Sequence, residues 1–369
     1  MSTAFGLQAY AHSTVSHWTG DELRKLVDAN QGREILDLSH HNFDGENLDG
    51  IVLVGFIMAG ASFRKASLVG ADLSRADLRG ANFEGANLLG AQLVGSNLSE
   101  LETDSENSST LRTNLTNAKL DEANLSNARL QRAILKNASL RRAVLRDCFI
   151  ESADLSDVDF RGAVINNAKF RRQDLGKYIK QAKEHKFGEA QQIYLALKEN
   201  FLRIGAYDDA SWAYVQERSN ERSTFFPPYA FEYFGPRELP KYPKGTIHTI
   251  LSYLGFVTKY FLKWLQSAIL YLIWGYGQKP ANALLFSIFV VLVFTTIYYF
   301  FEGIESSQGV NLQMFDYLVY SMNTFVTNSM DTIKPRDNWF SILTALESMA
   351  GVTTLALFAA SLGQRMGGR

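Results

Sequence analysis

From Leu38 to Leu175 a large apolar residue returns at every fifth position within two runs, and the residue two places before it is usually small. The first run sets Leu38, Phe43, Leu48, Leu53, Met58 and so on to Leu98 in one column, with Ala61, Ala66, Ala71, Ala76, Ala81, Ala86 and Ala91 beside it. A period of five belongs neither to the α-helix nor to the strand. It fits a coil of four flat faces, each built by one five-residue unit that turns a single apolar side chain inward. The small residue then also points inward, near a corner where only Ala, Ser, Cys or Val fits. Coils stacked at about 4.8 Å turn the core into ladders of like side chains. A second run, Leu115 to Leu175, stands seventeen residues on from Leu98, which is not a multiple of five. Residues 99–114 between the runs (SELETDSENSSTLRTN) are polar, acidic and rich in Ser, and read as a loop outside the stack. Together the runs hold 26 units, enough for a rod roughly 30 Å long at the strand spacing. Such a rod needs covered ends. Thr19-Gly20-Asp21-Glu22, leading into Leu23, reads as a capping box that opens a helix over the first coil, within an N-terminal cap of residues 1–35.

The units read A-(D/N)-L-x-x, as in Ala71-Asp72-Leu73, Ala76-Asp77-Leu78, Ala86-Asn87-Leu88, Ala123-Asn124-Leu125 and Ala153-Asp154-Leu155. This resembles the pentapeptide-repeat family, and the resemblance implies a right-handed quadrilateral β-helix over residues 36–175. Some members of that family imitate the acidic surface of DNA and occupy DNA gyrase. Charge argues against that role here: residues 36–110 hold 11 Asp/Glu against four Lys/Arg, but residues 111–175 hold eight against 12, so no continuous acidic rod exists. The basic half lies nearer in sequence to the apolar C-terminal part, where anionic lipid favours it. No nucleic-acid partner is expected. Cys148, the single cysteine, stands in the small-residue column and reads as a substitute for Ala. The six histidines (His12, His17, His40, His41, His185, His248) show no metal-ligand spacing. No phosphate loop or nucleophile motif occurs, so an enzyme, a cofactor and a bound metal are all unexpected. The opening MSTAFGLQAY has neither a basic region nor a long apolar run, so no cleaved signal peptide is expected and the repeat domain is assigned to the cytoplasm.

The chain's C-terminal part is of another kind. Residues 281–301 carry no charge, and residues 339–362 carry one, Glu347. At 1.5 Å per residue either segment reaches the roughly 30 Å of a bilayer core. A buried core helix is the bland alternative, but Trp274, Tyr276, Tyr298 and Tyr299 supply interfacial flanks. Lys259, Lys263 and Lys279 precede the first segment and Arg365 and Arg369 follow the second, so both termini are expected in the cytoplasm of a bacterial-type inner membrane. Residues 176–226 predict a helical hairpin, with Ala190, Ile193, Tyr194, Leu197 and Phe201 at helical spacing and a Gly205-Ala206-Tyr207 turn that resembles one tetratricopeptide unit. It is expected against the last coil or a neighbouring subunit. Residues 227–246 read as a stiff linker. Residues 247–274 tempt a third crossing, but Lys259 and Lys263 on one face favour an amphipathic helix at the interface.

The 37 residues between the two apolar segments include an amphipathic element, 312–326, headed by Asn311 as its cap. Helix, short helix, extended segment, helix: this layout resembles the two-membrane-helix, pore-loop channels of the potassium-channel superfamily. The matched positions are Phe315-Asp316-Tyr317, the Thr324-x-x-Thr327 pair, Asp331 and Pro335, Glu347 with Gly351, and GYGQKP (residues 275–280) ahead of the first helix. The resemblance covers residues 275–369. It implies a homotetramer in the lipid bilayer that passes monovalent ions. The filter departs from the family's glycine-bearing pattern, since Thr327-Asn328-Ser329-Met330-Asp331 has no glycine, and alternating carbonyl rings need left-handed backbone. Weak potassium selectivity is therefore expected. Thr324, Thr327, Asn328, Ser329, Met330 and Asp331 form the candidate filter, with Asp331 as a cation-concentrating ring and Lys334 and Arg336 opposing it. Glu347 either faces the pore or sits behind the filter bonded to the pore helix, and Gly351 is either a hinge or a close helix contact. The alternative to a channel is a non-conducting, membrane-anchored repeat scaffold. The residues do not name a cytoplasmic ligand for the β-helix.

Overall fold

The computed structural model describes residues 17–30, 35–102, 110–239, 246–328 and 330–367. The signal-peptide expectation for the first residues, His12, the tip of the 99–114 insertion, part of the 227–246 linker, and Ser329 lie outside the described residues. The chain divides into two compact units, Met1–Glu221 and Arg222–Arg369.

In the N-terminal unit the coils are joined by parallel bridges between residues 20 apart, from Asp37↔Ile57 to Phe149↔Lys169. Each five-residue face ends in a turn closed by a backbone bond from the small residue to the preceding inward one, as from Ala61 N–H to Met58 C=O at 3.1 Å. The repeat's Asp or Asn earns its place here. Its Oδ1 accepts the backbone N–H two residues on, at 2.8 Å for Asn42–Asp44 and 3.0 Å for Asp72–Ser74, Asn114–Thr116 and Asp154–Ser156, an Asx turn that holds the corner. Along the stacked coils the residue two places after the inward side chain has positive φ: mostly glycine in the first run, as at Gly45, Gly50 and Gly55, but mostly other residues in the second, as at Asn117, Glu122 and Arg132. An L-residue with a Cβ costs about 1–2 kcal/mol there. The second run therefore leans harder on its core.

That core is complete. Leu73, Leu78, Leu88, Leu120 and Leu130 are fully buried, as are the alanines beside them, and Phe43, Phe63 and Phe83 stack at 5.0 and 4.9 Å. Cys148 occupies an alanine position, with its thiol donating to Leu125 C=O at 2.7 Å, and burial pushes its pKa up to about 12. So protonated and buried a thiol is inert. The jump from Leu98 to Leu115 does not interrupt the ladder: Asn82 bridges Asn114, 32 residues on, so the twelve residues beyond the usual 20 leave the stack between two coils. They depart through β1 (Leu101–Glu102) and return through β2 (Thr110–Leu111), paired antiparallel.

Both ends are covered. Helix α1 (Gly20–Asn30) opens on a capping box in which Thr19 N–H donates to Glu22 Oε2 at 2.9 Å and Glu22 N–H to Thr19 Oγ1 at 3.3 Å. Leu23 and Leu26 are buried beneath it, and Arg24 donates to Asp49 C=O at 2.8 Å. At the other end come α2 (Lys180–Lys183), α3 (Phe187–Arg203) and α4 (Tyr207–Phe225). Buried Asn200 clamps the last coil: its Oδ1 accepts Ala168 N–H at 3.0 Å and its Nδ2 donates to Ala168 C=O at 2.8 Å. Phe201 packs edge-on against Phe170 at 5.4 Å. The helical hairpin thus seats on its own chain's last coil.

The C-terminal unit begins where a linker was expected, and that expectation is corrected in part: α5 (Pro227–Tyr233) and α6 (Gly235–Glu238) fold there. Pro227, Pro228 and Pro236 all stand in a first turn, where a missing N–H leaves nothing unsatisfied. They pack on α7 (Thr246–Trp274) through Phe231–Phe256 at 4.9 Å and Phe234–Tyr260 at 4.7 Å. Then follow α8 (Pro280–Phe300), β3 (Ile304–Ser306), α9 (Met314–Phe325), β4 (Ile333–Pro335) and α10 (Asn338–Gly367). Strands β3 and β4 pair antiparallel, which places Glu305 opposite Lys334. The cap of α9 is Gln313, not Asn311: Asp316 Oδ2 reaches back to Gln313 N–H at 2.7 Å.

Candidate functional site

At 12 residues α9 is about 18 Å long, too short to cross a bilayer. It is held between α8 and α10 by a buried polar knot. Glu347 of α10 is fully buried and accepts hydrogen bonds from Tyr298 OH of α8, at 3.0 Å, and from Ser321 Oγ of α9. Ser321 also lies 3.0 Å from Val291 C=O, and Thr344 sits between the hydroxyls of Tyr298 and Tyr320 at 3.4 and 3.3 Å. Of the two positions open to Glu347, the structure has the one against the short helix. Among the described residues no cation joins it.

The carboxyl end of α9 is fixed to the same helix. Ser348 Oγ donates to Thr324 C=O at 3.0 Å. A Cβ on Gly351 would meet Phe325 O at 1.8 Å, so the glycine admits a backbone carbonyl that any side chain would expel. Of the two readings of Gly351, the close helix contact is the one present in the structure. Beyond it the chain turns sharply at Thr327, whose φ of 60° is rare for a β-branched residue. Asn328 N–H then donates to Asn323 C=O at 2.8 Å, and its Nδ2 to Asn323 Oδ1 at 3.0 Å.

Thr324 is buried, Thr327, Asn328 and Asp331 are exposed, and Met330 packs on the Tyr298–Tyr320 cluster. The candidate filter residues therefore diverge: Thr324 and Met330 hold the loop, while Thr327, Asn328 and Asp331 present it. Asp331 C=O accepts Ser307 Oγ at 3.0 Å, tying the loop to the segment after α8. Arg336 pairs with Glu302 at 3.6 Å. Sequence reasoning missed Ser321 and the β3–β4 ladder, and it read Tyr298 as an interfacial flank where the structure buries it fully against Glu347. The signal was present in Glu347 itself, because a buried carboxylate needs donors and hydroxyls on the flanking apolar helices are the ones available.

Helices α8 and α10 are long and apolar enough to cross a membrane, and only 22% and 17% of their most apolar windows is buried. The core helix of a soluble protein would be mostly covered. Among the described residues no cluster of His, Cys, Asp or Glu is arranged to hold a metal.

Pentapeptide repeats, in eight copies, match residues 42–80, 61–100 and 112–147. HetL, a pentapeptide repeat protein involved in heterocyst differentiation regulation in the cyanobacterium Nostoc, is 27% identical, with 36% of this chain and 77% of that one covered and a TM-score of 0.16. A trypsin-treated form of QnrB1, a plasmid-mediated fluoroquinolone resistance protein, is 16% identical over 40% of this chain and 75% of that one, with a TM-score of 0.22. A pentapeptide repeat protein of the Arabidopsis thaliana thylakoid lumen is 20% identical over 41% and 74%, with a TM-score of 0.14. Among curated proteins none matches the chain. With TM-scores this low, the fold rests on the repeat match and on the chain's own bridges. The N-terminal region is a pentapeptide-repeat β-helix followed by helices, and the repeat match ends before the C-terminal unit.

Proposed function

We propose that the chain is a membrane-embedded subunit of a homotetrameric, cation-conducting and weakly potassium-selective channel, with the β-helix as a cytoplasmic assembly or sensing domain and no enzymatic activity. One observation carries this reading: a helix too short to cross is fixed by its carboxyl end between two helices long enough to do so, and beyond that end it presents Val326, Thr327, Asn328 and Asp331 exposed. Four copies around an axis aim four negative helix ends, and four Asp331 side chains, toward one opening. The exposed apolar faces of α8 and α10 suit lipid or a neighbouring copy. Both cations near the mouth have an acidic counterpart, Glu305 across the ladder from Lys334 and Glu302 paired to Arg336, which favours cations over anions. Thr327 is the one positive-φ position among the described loop residues, so a stack of carbonyl rings lacks its backbone and size discrimination is weak.

The test is a planar-bilayer recording of the purified chain in asymmetric salt. Unitary currents that reverse toward the cation potential, with little difference between sodium and potassium, are expected. Reversal at the chloride potential overturns the cation assignment, and silence in a correctly inserted tetramer favours the non-conducting scaffold.

A further inference from the structure

Helix α7 has two charged residues among its 29, if His is counted neutral, and both point to one side. Lys259 Nζ pairs with Glu238 at 2.7 Å and lies 5.1 Å from the Tyr260 ring. Lys263 Nζ lies over the rings of Tyr260 and Phe225 at 5.3 and 5.5 Å. Away from the lysines Ile250, Leu254, Phe261, Leu265 and Leu272 are all exposed, and at 3.6 residues per turn they fall within an arc of about 60°. Two more cations stand near the helix's end, Arg222 and Lys279, over the Tyr271 ring at 4.8 and 5.4 Å. Among the described residues no ion pair takes Lys263 or Lys279.

We propose that α7 lies in the plane of the membrane interface, its Ile250–Leu272 stripe among acyl chains and Lys263 and Lys279 holding the headgroups of anionic phospholipid. The inference rests on the membrane reading above. A crossing orientation is the rival, and charge decides against it: Lys259 and Lys263 sit mid-helix, so crossing would carry them, with Glu238, to the bilayer centre, where ionised groups are costly. In the plane the same groups stay at headgroup level. Connectivity agrees. The turn Gly275–Gly277 joins α7 to α8, and Ser361 near the carboxyl end of α10 donates to Gly277 C=O at 2.8 Å. The end of α7 therefore stands level with the start of one membrane-length helix and the end of the other. Aromatic residues beneath cations suit that belt.

The full chain carrying Cys148→Ala is labelled with a nitroxide at single cysteines replacing Leu254, Phe261 or Leu272, and at Phe289 of α8 as a control, in vesicles of phosphatidylcholine with phosphatidylglycerol. Oxygen and nickel-chelate accessibilities should give three equal, shallow depths. Depth that grows steadily from position 254 to 272 means a crossing helix, and chelate accessibility as in free solution means no membrane contact; each overturns the proposal. A lipid-embedded Phe289 position alongside either result shows that the membrane reading survives its failure, whereas a water-exposed one removes both. Spin-labelled phosphatidylglycerol should be preferred over phosphatidylcholine at this protein, by about five-fold less for each of Lys263→Gln and Lys279→Gln. Unchanged preference in the double variant overturns the headgroup assignment.

Discussion

Leu88 and Leu89 are neighbours of the same type with opposite fates, the first fully buried in the ladder and the second 40% exposed at the corner. Leu88→Ala removes ladder atoms that stacked neighbours on either side cannot replace, and about 3 kcal/mol of stability should go with them. Leu89→Ala should stay within about 0.5 kcal/mol. Denaturant midpoints of the two variants, followed by β-helix circular dichroism, check the register directly, since a one-residue slip would exchange the values. Glycines give a second matched pair. Gly351→Ala drives a methyl into Phe325 C=O, a backbone atom that cannot swing aside, and should cost about 2 kcal/mol or more in detergent melting of the C-terminal unit. Gly363 lies in the same helix with nothing within 4 Å of its would-be Cβ, so Gly363→Ala should be neutral or stabilising by up to about 1 kcal/mol. Position by position, the inward column was legible because one five-residue rule repeats with few exceptions. Gly351 was not, because helical spacing cannot distinguish a hinge from a place where another chain segment's carbonyl arrives.

Elements are held at their ends by single polar side chains. Asn200→Leu keeps the bulk of the side chain but strands the Ala168 carbonyl and leaves Ala168 N–H with Ile165 C=O alone, at 3.1 Å, and at roughly 1–3 kcal/mol for a buried orphan the last coil should fray. Hydrogen exchange should speed at Ala168 while Leu88, in mid-rod, keeps its protection. Between coils, Asp121 accepts from Arg141 Nη2 at 2.6 Å and from Ser139. Burial raises its pKa, but the bonds from Arg141 and Ser139 outweigh burial and the net shift is downward. A carboxylate held below its unfolded value stabilises the fold fully above about pH 4 and loses that contribution as pH falls through the folded pKa. Arg141→Gln should raise the Asp121 pKa, read by carboxyl carbon NMR, and bring acid unfolding to higher pH. Helix existence was legible in the sequence from apolar spacing, yet α5 was hidden: a Pro-Pro pair reads as extended chain unless it falls in a helix's first turn. Asn200 was hidden for a different reason, as its role depends on a coil end more than thirty residues away.

For the molecule as a whole, the governing competition is between the acid and the bases at the loop. Lys334 and Arg336 outnumber Asp331, and by sequence alone they threatened to reverse the field. The β3–β4 pairing changes the balance, because Glu305 lies across from Lys334 and Glu302 meets Arg336 at 3.6 Å. Two bases against these two acids leave Asp331, exposed at the loop, uncancelled, and Asp337 beside Arg336 adds to the acidic side. Four such loops within a Debye length of about 8 Å reinforce one another. Asp331→Asn should therefore lower cation-over-anion preference and reduce conductance most at low salt, where screening is weakest. Removing the counter-acids instead, as Glu302→Gln with Glu305→Gln, releases both bases and should carry the reversal potential toward chloride even with Asp331 intact. Native mass measurement must show four chains for either comparison to bear on a shared opening. If Asp331→Asn leaves the reversal potential unchanged in a tetramer that still conducts, the ions pass elsewhere than past this loop.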